Sequence, residues 1–396
     1  MTKDSWKALW WIGLAELMAL SLWFSASVIG QELLESWQLQ SHYKAWLSAS
    51  VPIGFVIGAF LSSYFGIADR FNPRKIFAIS ALSGALLNFG LVLVNSALLG
   101  MSLRILTGFA LAGVYPTAVK ILSQWFPKKR GLAIGILIAT LTLGSALPYL
   151  VVMFFSSVEW KLVIISSSLL ALTSAVIVNW VLADAPVPIK KQPFSIKLLK
   201  KVTNNKPLML VNYGYFGHMW ELYAMWTWLP IFLTASFKSQ LPQISNWVIA
   251  LISFSSIGVA GGIGCVIGGL IADRFGRSRL TILSMCVSAA CSILIGFTFG
   301  HSMWLSVFLA IIWGIFVISD SAQFSAAVSE FADVEYVGTA LTFQMCIGFL
   351  ITIVSINIIP IFQNIVGWEW VFIILAIGPI FGVWSMIKFQ KYELNQ

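Results

Sequence analysis

Apolar runs broken by short polar stretches recur along the chain. The first six lie at about residues 7–30, 43–66, 76–95, 98–121, 131–155 and 160–182. Six more follow at about 207–235, 246–271, 279–299, 303–327, 338–362 and 368–389. Crossing a bilayer core takes roughly 20 apolar residues in a helix, and each run supplies about that many. Between the two sets lies a polar stretch, 184–206, rich in lysine and proline. The pattern predicts an all-α membrane protein of twelve transmembrane helices, helix 1 to helix 12. They form two six-helix halves, 1–183 and 207–396, joined by a cytoplasmic linker, 184–206.

The basic residues orient this arrangement. With the N-terminus inside and the helices alternating, nineteen of the 24 Lys and Arg residues fall on the cytoplasmic side. Basic residues are retained on that side of a membrane, so both termini are expected in the cytoplasm. The composition agrees, with 59% hydrophobic and only 10% charged residues. A soluble domain carries about 25% charged residues, which excludes a cytosolic enzyme or a disordered regulator. The net charge of +9 then reports topology and contact with anionic lipid, not nucleic acid. Cys265, Cys286, Cys291 and Cys346 lie in apolar runs without metal-ligand spacing. They read as buried small hydrophobes, and no metal or cofactor is expected. Ser25-Ala26-Ser27 resembles a signal cleavage site, but Glu16 inside the preceding apolar run argues against one.

The chain repeats itself at an offset near 205 residues. Ile67-Ala68-Asp69-Arg70-Phe71 recurs as Ile271-Ala272-Asp273-Arg274-Phe275. Glu16-Leu17-x-Ala19-x-x-x-Trp23 recurs as Glu221-Leu222-x-Ala224-x-x-x-Trp228. Gly131 pairs with Gly338, and Glu159-Trp160 with Glu369-Trp370. Four matches in order, at equivalent positions, indicate two parallel halves related by a pseudo-two-fold axis along the membrane normal. That is a transporter architecture, with the substrate near the midplane between the halves.

These residues resemble the major facilitator superfamily along the whole chain. The loop between helices 8 and 9 carries the family's Gly269, Asp273, Arg274, Gly276 and Arg277; its first-half copy keeps Asp69, Arg70, Arg74 and Lys75. Helix 4 and the loop after it match through Arg104-x-x-x-Gly108, Gly113, Pro116, Trp125-Phe126-Pro127 and Arg130-Gly131. The resemblance implies a cytoplasmic gate built from Asp69, Arg70, Arg74, Arg130, Asp273, Arg274 and Arg277. Charges of this kind can pair across helices or with helix termini, closing the inner face and parting when the halves rock.

Ionisable residues inside a span are costly and mark pathways. Glu16, Arg104, Lys120, His218, Glu221 and Asp320 all fall in helices 1, 4, 7 and 10, the cavity-lining helices of the family. Helical spacing aligns His218 and Glu221 with Gly214, Met225 and Trp228 on helix 7. It aligns Trp313, Phe316, Asp320 and Gln323 on helix 10, and Arg104, Gly108, Leu111 and Tyr115 on helix 4. Lys120 lies on another face and can snorkel to the inner surface. Carboxylates in a low-dielectric cavity can exchange protons near neutral pH, so Glu16, Glu221 and Asp320 are candidates for proton coupling. The alternative is a permanent pair with Arg104 or His218 that cements helices. Trp23, Trp228 and Trp313 are candidates for stacking on a substrate. Trp6, Trp10, Trp11, Trp37, Trp247 and Trp384 lie near helix ends and read as interfacial belts. The glycines of helix 8 read as close packing.

The expected function is a secondary active transporter, proton-coupled, moving a small organic solute by alternating access as a monomer. The first alternative is a multidrug or metabolite exporter, although the family's antiporter pattern in helix 5 is not met. The second is a solute sensor on the same fold. His42, His218 and His301 form no catalytic motif, so an enzyme is not expected.

Overall fold

The computed structural model describes residues 3–40, 43–126, 130–154, 159–184, 195–333 and 336–395. The described residues are almost entirely helical and contain no strand. Ten helical stretches are long and apolar enough to span a membrane. They are helix 2 (Tyr43–Tyr64), helix 3 (Pro73–Leu93), helix 4 (Ala97–Trp125), helix 5 (Arg130–Phe154) and helix 6 (Trp160–Val181). The others are helix 8 (Asn246–Phe275), helix 9 (Arg277–Thr298), helix 10 (Met303–Phe331), helix 11 (Val337–Val366) and helix 12 (Ile373–Glu393). The remaining two helices are more polar. Helix 1 runs in pieces, Lys3–Leu20, Ser25–Val28 and Gly30–Ser36, and helix 7 is a continuous rod, Lys206–Gln240. The first carries Glu16; the second carries His218, Glu221 and a dense set of aromatic residues.

A short amphipathic helix, Ile196–Asn204, lies in the linker. It packs its buried Val202 against helices 7 and 11 and exposes Lys197 and Lys200. Trp6 meets Phe126, Asp184 meets Asn72, and Glu393 meets the start of helix 9. Both ends of the chain and the linker therefore share one end of the bundle, called here the linker end. Large apolar side chains cover the outer surface, as a lipid-facing surface requires. Trp6, Trp10, Trp247 and Trp384 are exposed on it. Trp37, expected in an interfacial belt, instead packs its ring over Gly100 and donates to the Val94 carbonyl. Cys286, expected to be buried, is exposed; the other three cysteines are buried or half-buried, and all four are free.

The sequence repeat reappears as a packing repeat. A Cβ on Gly108 would sit 2.0 Å from the Val51 carbonyl, and one on Gly314 would sit 1.8 Å from that of Ser256. Helix 4 thus crosses helix 2 as helix 10 crosses helix 8, backbone on backbone. Along helix 8, Gly264 and Gly268 press equally hard on helix 10. The two halves meet along helix 2 against helix 11 and helix 5 against helix 8.

Three helices are interrupted. Helix 4 breaks at Ala112–Val114, where Pro116 has no N–H to continue the ladder, and the Thr117 hydroxyl takes up the Gly113 carbonyl at 2.6 Å. Helix 10 breaks at Asp320, and helix 1 at residues 21–24. The breaks leave backbone carbonyls without intrahelical donors, and polar side chains from other helices gather at them.

Candidate functional site

Six aromatic rings meet where the halves face each other. Trp23 and Phe24 come from the break in helix 1, Phe55 from helix 2, Tyr223 and Trp226 from helix 7, and Phe349 from helix 11. The Trp23 ring lies 5.4 Å from Tyr223 and 5.7 Å from Phe349, centroid to centroid. Phe24 lies 6.0 Å from Trp226, and Phe55 lies 4.6 Å from Phe349. All six are buried. These are ordinary aromatic pair distances, yet each of the four pairs joins one half to the other. The Tyr149 hydroxyl donates to the Trp226 carbonyl at 3.4 Å, a further link. The Trp226 indole N–H is buried and has no acceptor among the described residues.

The helix 1 break owes its shape to Arg104. Its guanidinium is fully buried and donates to the Leu22 carbonyl at 2.9 Å and the Trp23 carbonyl at 2.5 Å. It also donates to Ser25 Oγ at 3.2 Å and Asn88 Oδ1 at 3.1 Å. Asn88 is held in turn by Ser25 and Ser168. The alternative in which Arg104 pairs with a carboxylate is not what these contacts show. Both terminal nitrogens of its fork go to neutral oxygens, and they complete the hydrogen bonding of helix 1.

Glu16 is fully buried, and neither carboxyl oxygen has a hydrogen-bond partner among the described residues. It lies within electrostatic reach of Tyr115, which follows the break in helix 4. Tyr115 in turn reaches Cys265 on helix 8 and Tyr215 and Tyr223 on helix 7.

The helix 7 stripe expected to face the cavity turns into the second half instead. Glu221 accepts from Ser288 Oγ on helix 9 at 2.5 Å and from Trp313 Nε1 on helix 10 at 2.8 Å. His218 Nδ1 lies 2.9 Å from Asp320 Oδ1 at the helix 10 break, with both residues buried. Trp228 donates to the Ile356 carbonyl of helix 11 at 2.9 Å. Gln323 accepts from Arg277 Nη1 at 2.7 Å, which ties it to the linker end. The face of helix 7 that meets the other half carries Tyr223 and Trp226, displaced about 200° and 140° from Glu221 on the wheel. Neither carries a charge that singles it out in the sequence. The same holds for Phe55 and Phe349, because an aromatic residue in an apolar run carries no polar signal.

At the linker end two of the expected gate residues, Arg277 and Arg74, sit in separate brackets at the starts of helices 9 and 3. Arg277 donates to both Glu330 oxygens, at 2.8 and 2.5 Å. The Glu393 carboxylate accepts from the Arg277 and Ser278 backbone amides, capping helix 9. In the first half, Arg74 lies 3.3 Å from Asp184 and donates to the Asn179 carbonyl at 2.9 Å. Asn72 caps the Arg74 amide and donates to Asp184. An acid at the end of helix 12 (Glu393) and one just beyond helix 6 (Asp184) thus meet the starts of the third helices of their halves. Arg70, Asp273 and Arg274 are exposed, with Arg274 over the Phe275 ring. The side chains of Asp69 and Arg130 lie outside the described residues. A direct polar link across the halves at this end is Ser63 Oγ to Thr342 Oγ1, at 2.7 Å.

The model of the Major Facilitator Superfamily matches residues 12–356 and again 254–393. The chain belongs to this family. Its relatives include a probable sulfoacetate transporter, SauU, of Cupriavidus necator, 23% identical over 56% of each chain. The niacin transporter NiaP of Acinetobacter baylyi is 24% identical, over 79% of this chain and 76% of its own. A gallate transporter of Pseudomonas putida is 26% identical over 41% of this chain and 37% of its own. The chain spans 56% of the length of SauU and 50% of that of a Bacillus subtilis niacin/nicotinamide transporter. A solved structure of the nucleoside transporter NupG superposes with a TM-score of 0.74 at 16% identity, covering 96% of this chain and 99% of that one. That likeness shows that the two chains share one multi-helix fold. Family and relatives alike are transporters, which agrees with the non-enzymatic reading.

Proposed function

We propose that this superfamily member is a secondary active transporter. It moves a small organic solute across the membrane by alternating access and couples that movement to protons. The relatives carry sulfoacetate, niacin or gallate by name, all small organic solutes. The halves, 1–183 and 207–396, rock about the linker 184–206, and the solute binds between them. Each chain holds both halves of that site, so the monomer is the working unit. The basic residues favour an inner-membrane orientation with both termini cytoplasmic.

The observation that carries proton coupling is Glu16. A carboxylate buried without a partner is costly as an anion. Opening the seam to water relieves that cost, so proton release and uptake at Glu16 follow the opening and closing of the site. Glu221 and the His218–Asp320 pair are already bound to groups of their own half, and we assign them to holding helices 7, 9 and 10 together. The test is solute exchange by the purified chain in proteoliposomes. Glu16→Gln is expected to keep equilibrium exchange and to lose accumulation driven by a pH gradient. Accumulation by Glu16→Gln at the wild-type level would refute the assignment.

A further inference from the structure

The aromatic seam says what kind of solute fits. When the halves part, Trp23, Phe24 and Phe55 move away from Tyr223, Trp226 and Phe349, and five ring contacts are lost. A flat π-system of similar size can replace them, face for face or edge for face. An aliphatic solute can replace the area but not the ring geometry.

Two side chains give the site its polarity. The Trp226 indole N–H is fully buried beside these rings with no acceptor among the described residues. A buried donor left unpaired is costly, and most such groups in native structures have a partner. A ligand acceptor supplies one. Arg104, which holds the Trp23 carbonyl, has its terminal nitrogens committed to the carbonyls of Leu22 and Trp23 and to Ser25 and Asn88, and only its buried Nε has no partner among the described residues. Its two-nitrogen fork is therefore not free to clamp a carboxylate or sulfonate, and the other ionisable group of this part of the first half, Glu16, is acidic. Small-molecule sites commonly combine apolar and aromatic walls with a few placed polar groups.

We propose that the solute is a planar aromatic or heteroaromatic molecule, uncharged and carrying a hydrogen-bond acceptor, held between Trp23 and the Tyr223 and Phe349 rings with its acceptor on the Trp226 N–H. This rests on the transport reading above.

The test uses the full chain in proteoliposomes with radiolabelled nicotinamide as the probe. Benzamide and cyclohexanecarboxamide serve as competitors, alike in size and acceptor but only the first planar. Benzamide is expected to displace nicotinamide at concentrations about tenfold lower than cyclohexanecarboxamide. Trp226→Phe, which keeps a ring and removes the N–H, is expected to weaken nicotinamide binding about tenfold while the melting temperature holds. Trp23→Phe is expected to bind more weakly than wild type and more strongly than Trp23→Ala. Equal competition by the two amides would overturn the proposal. So would exchange of sulfoacetate by a folded protein that does not bind nicotinamide, which leaves transport standing and shows the seam to be a packing seal. If the folded protein exchanges neither nicotinamide nor sulfoacetate, the transport reading fails and takes this proposal with it.

Discussion

Arg104 donates to the carbonyl of Trp23 from a helix that Trp23 does not belong to. That bond fixes the turn of helix 1 from which the Trp23 ring reaches across to Tyr223. A buried cation in the first half therefore sets the position of a ring in the seam. Replacing it with lysine keeps a charge but loses the fork, so the two are not equivalent. Arg104→Lys is expected to lower thermal stability and to reduce solute exchange about tenfold. Melting curves and exchange rates in proteoliposomes measure both.

The buried pair in the second half gives a separate expectation. His218→Ala removes the group facing Asp320 and strands a carboxyl at the helix 10 break. The cost is of the order of 1–3 kcal/mol. Asp320→Asn keeps a polar partner for His218 and is expected to cost less. Double-mutant analysis of the two by thermal unfolding in detergent should show coupling, because residues in contact do not contribute additively.

The glycine contacts supply a sharper pair. Gly108→Ala and Gly314→Ala place a methyl within 2.0 and 1.8 Å of a carbonyl on the facing helix, which neither backbone can yield without separating. Both are expected to abolish folded protein in membrane extracts. Gly269→Ala, with nothing within 4 Å of the new atom, is expected to express as wild type. Size-exclusion profiles of the three variants test the contrast.

The Arg277 bracket at the linker end lies inside the second half, so breaking it should loosen that half and not unlock the pair. Arg277→Gln is expected to lower stability by about 1 kcal/mol, as for a partly exposed ion pair. It should leave solute exchange near wild type. A large rise in leak or a shift in sidedness would show that Arg277 holds the halves together.

The helical membrane fold was legible because twelve apolar runs and a repeat near 205 residues are long-range signals that packing cannot erase. The buried charges were legible and the aromatic seam was not. Buried charge betrayed Glu16, Arg104, His218, Glu221 and Asp320, since each is costly in a membrane and must be there for a reason. Spacing grouped them by helix face but did not say toward which neighbour each stripe points. Glu221 and Tyr223 are two residues apart on one helix and face opposite ways, the first into its own half and the second across the seam. That choice is made by helices 9, 10 and 11, which lie far along the chain. The interruption of helix 1 was likewise hidden, because the residue that stabilises it sits on helix 4.

The most direct measurement of the account is a cross-link at the linker end of the seam. Ser63 and Thr342 touch across the halves, close enough for a disulfide once both are cysteine. Ser63→Cys/Thr342→Cys is built in a chain with Cys265, Cys286, Cys291 and Cys346 replaced by serine or alanine. It is oxidised in proteoliposomes and assayed for solute exchange. The account predicts that exchange stops on oxidation and returns on reduction, because the halves must part there in each cycle. Undiminished exchange by fully cross-linked protein would contradict it.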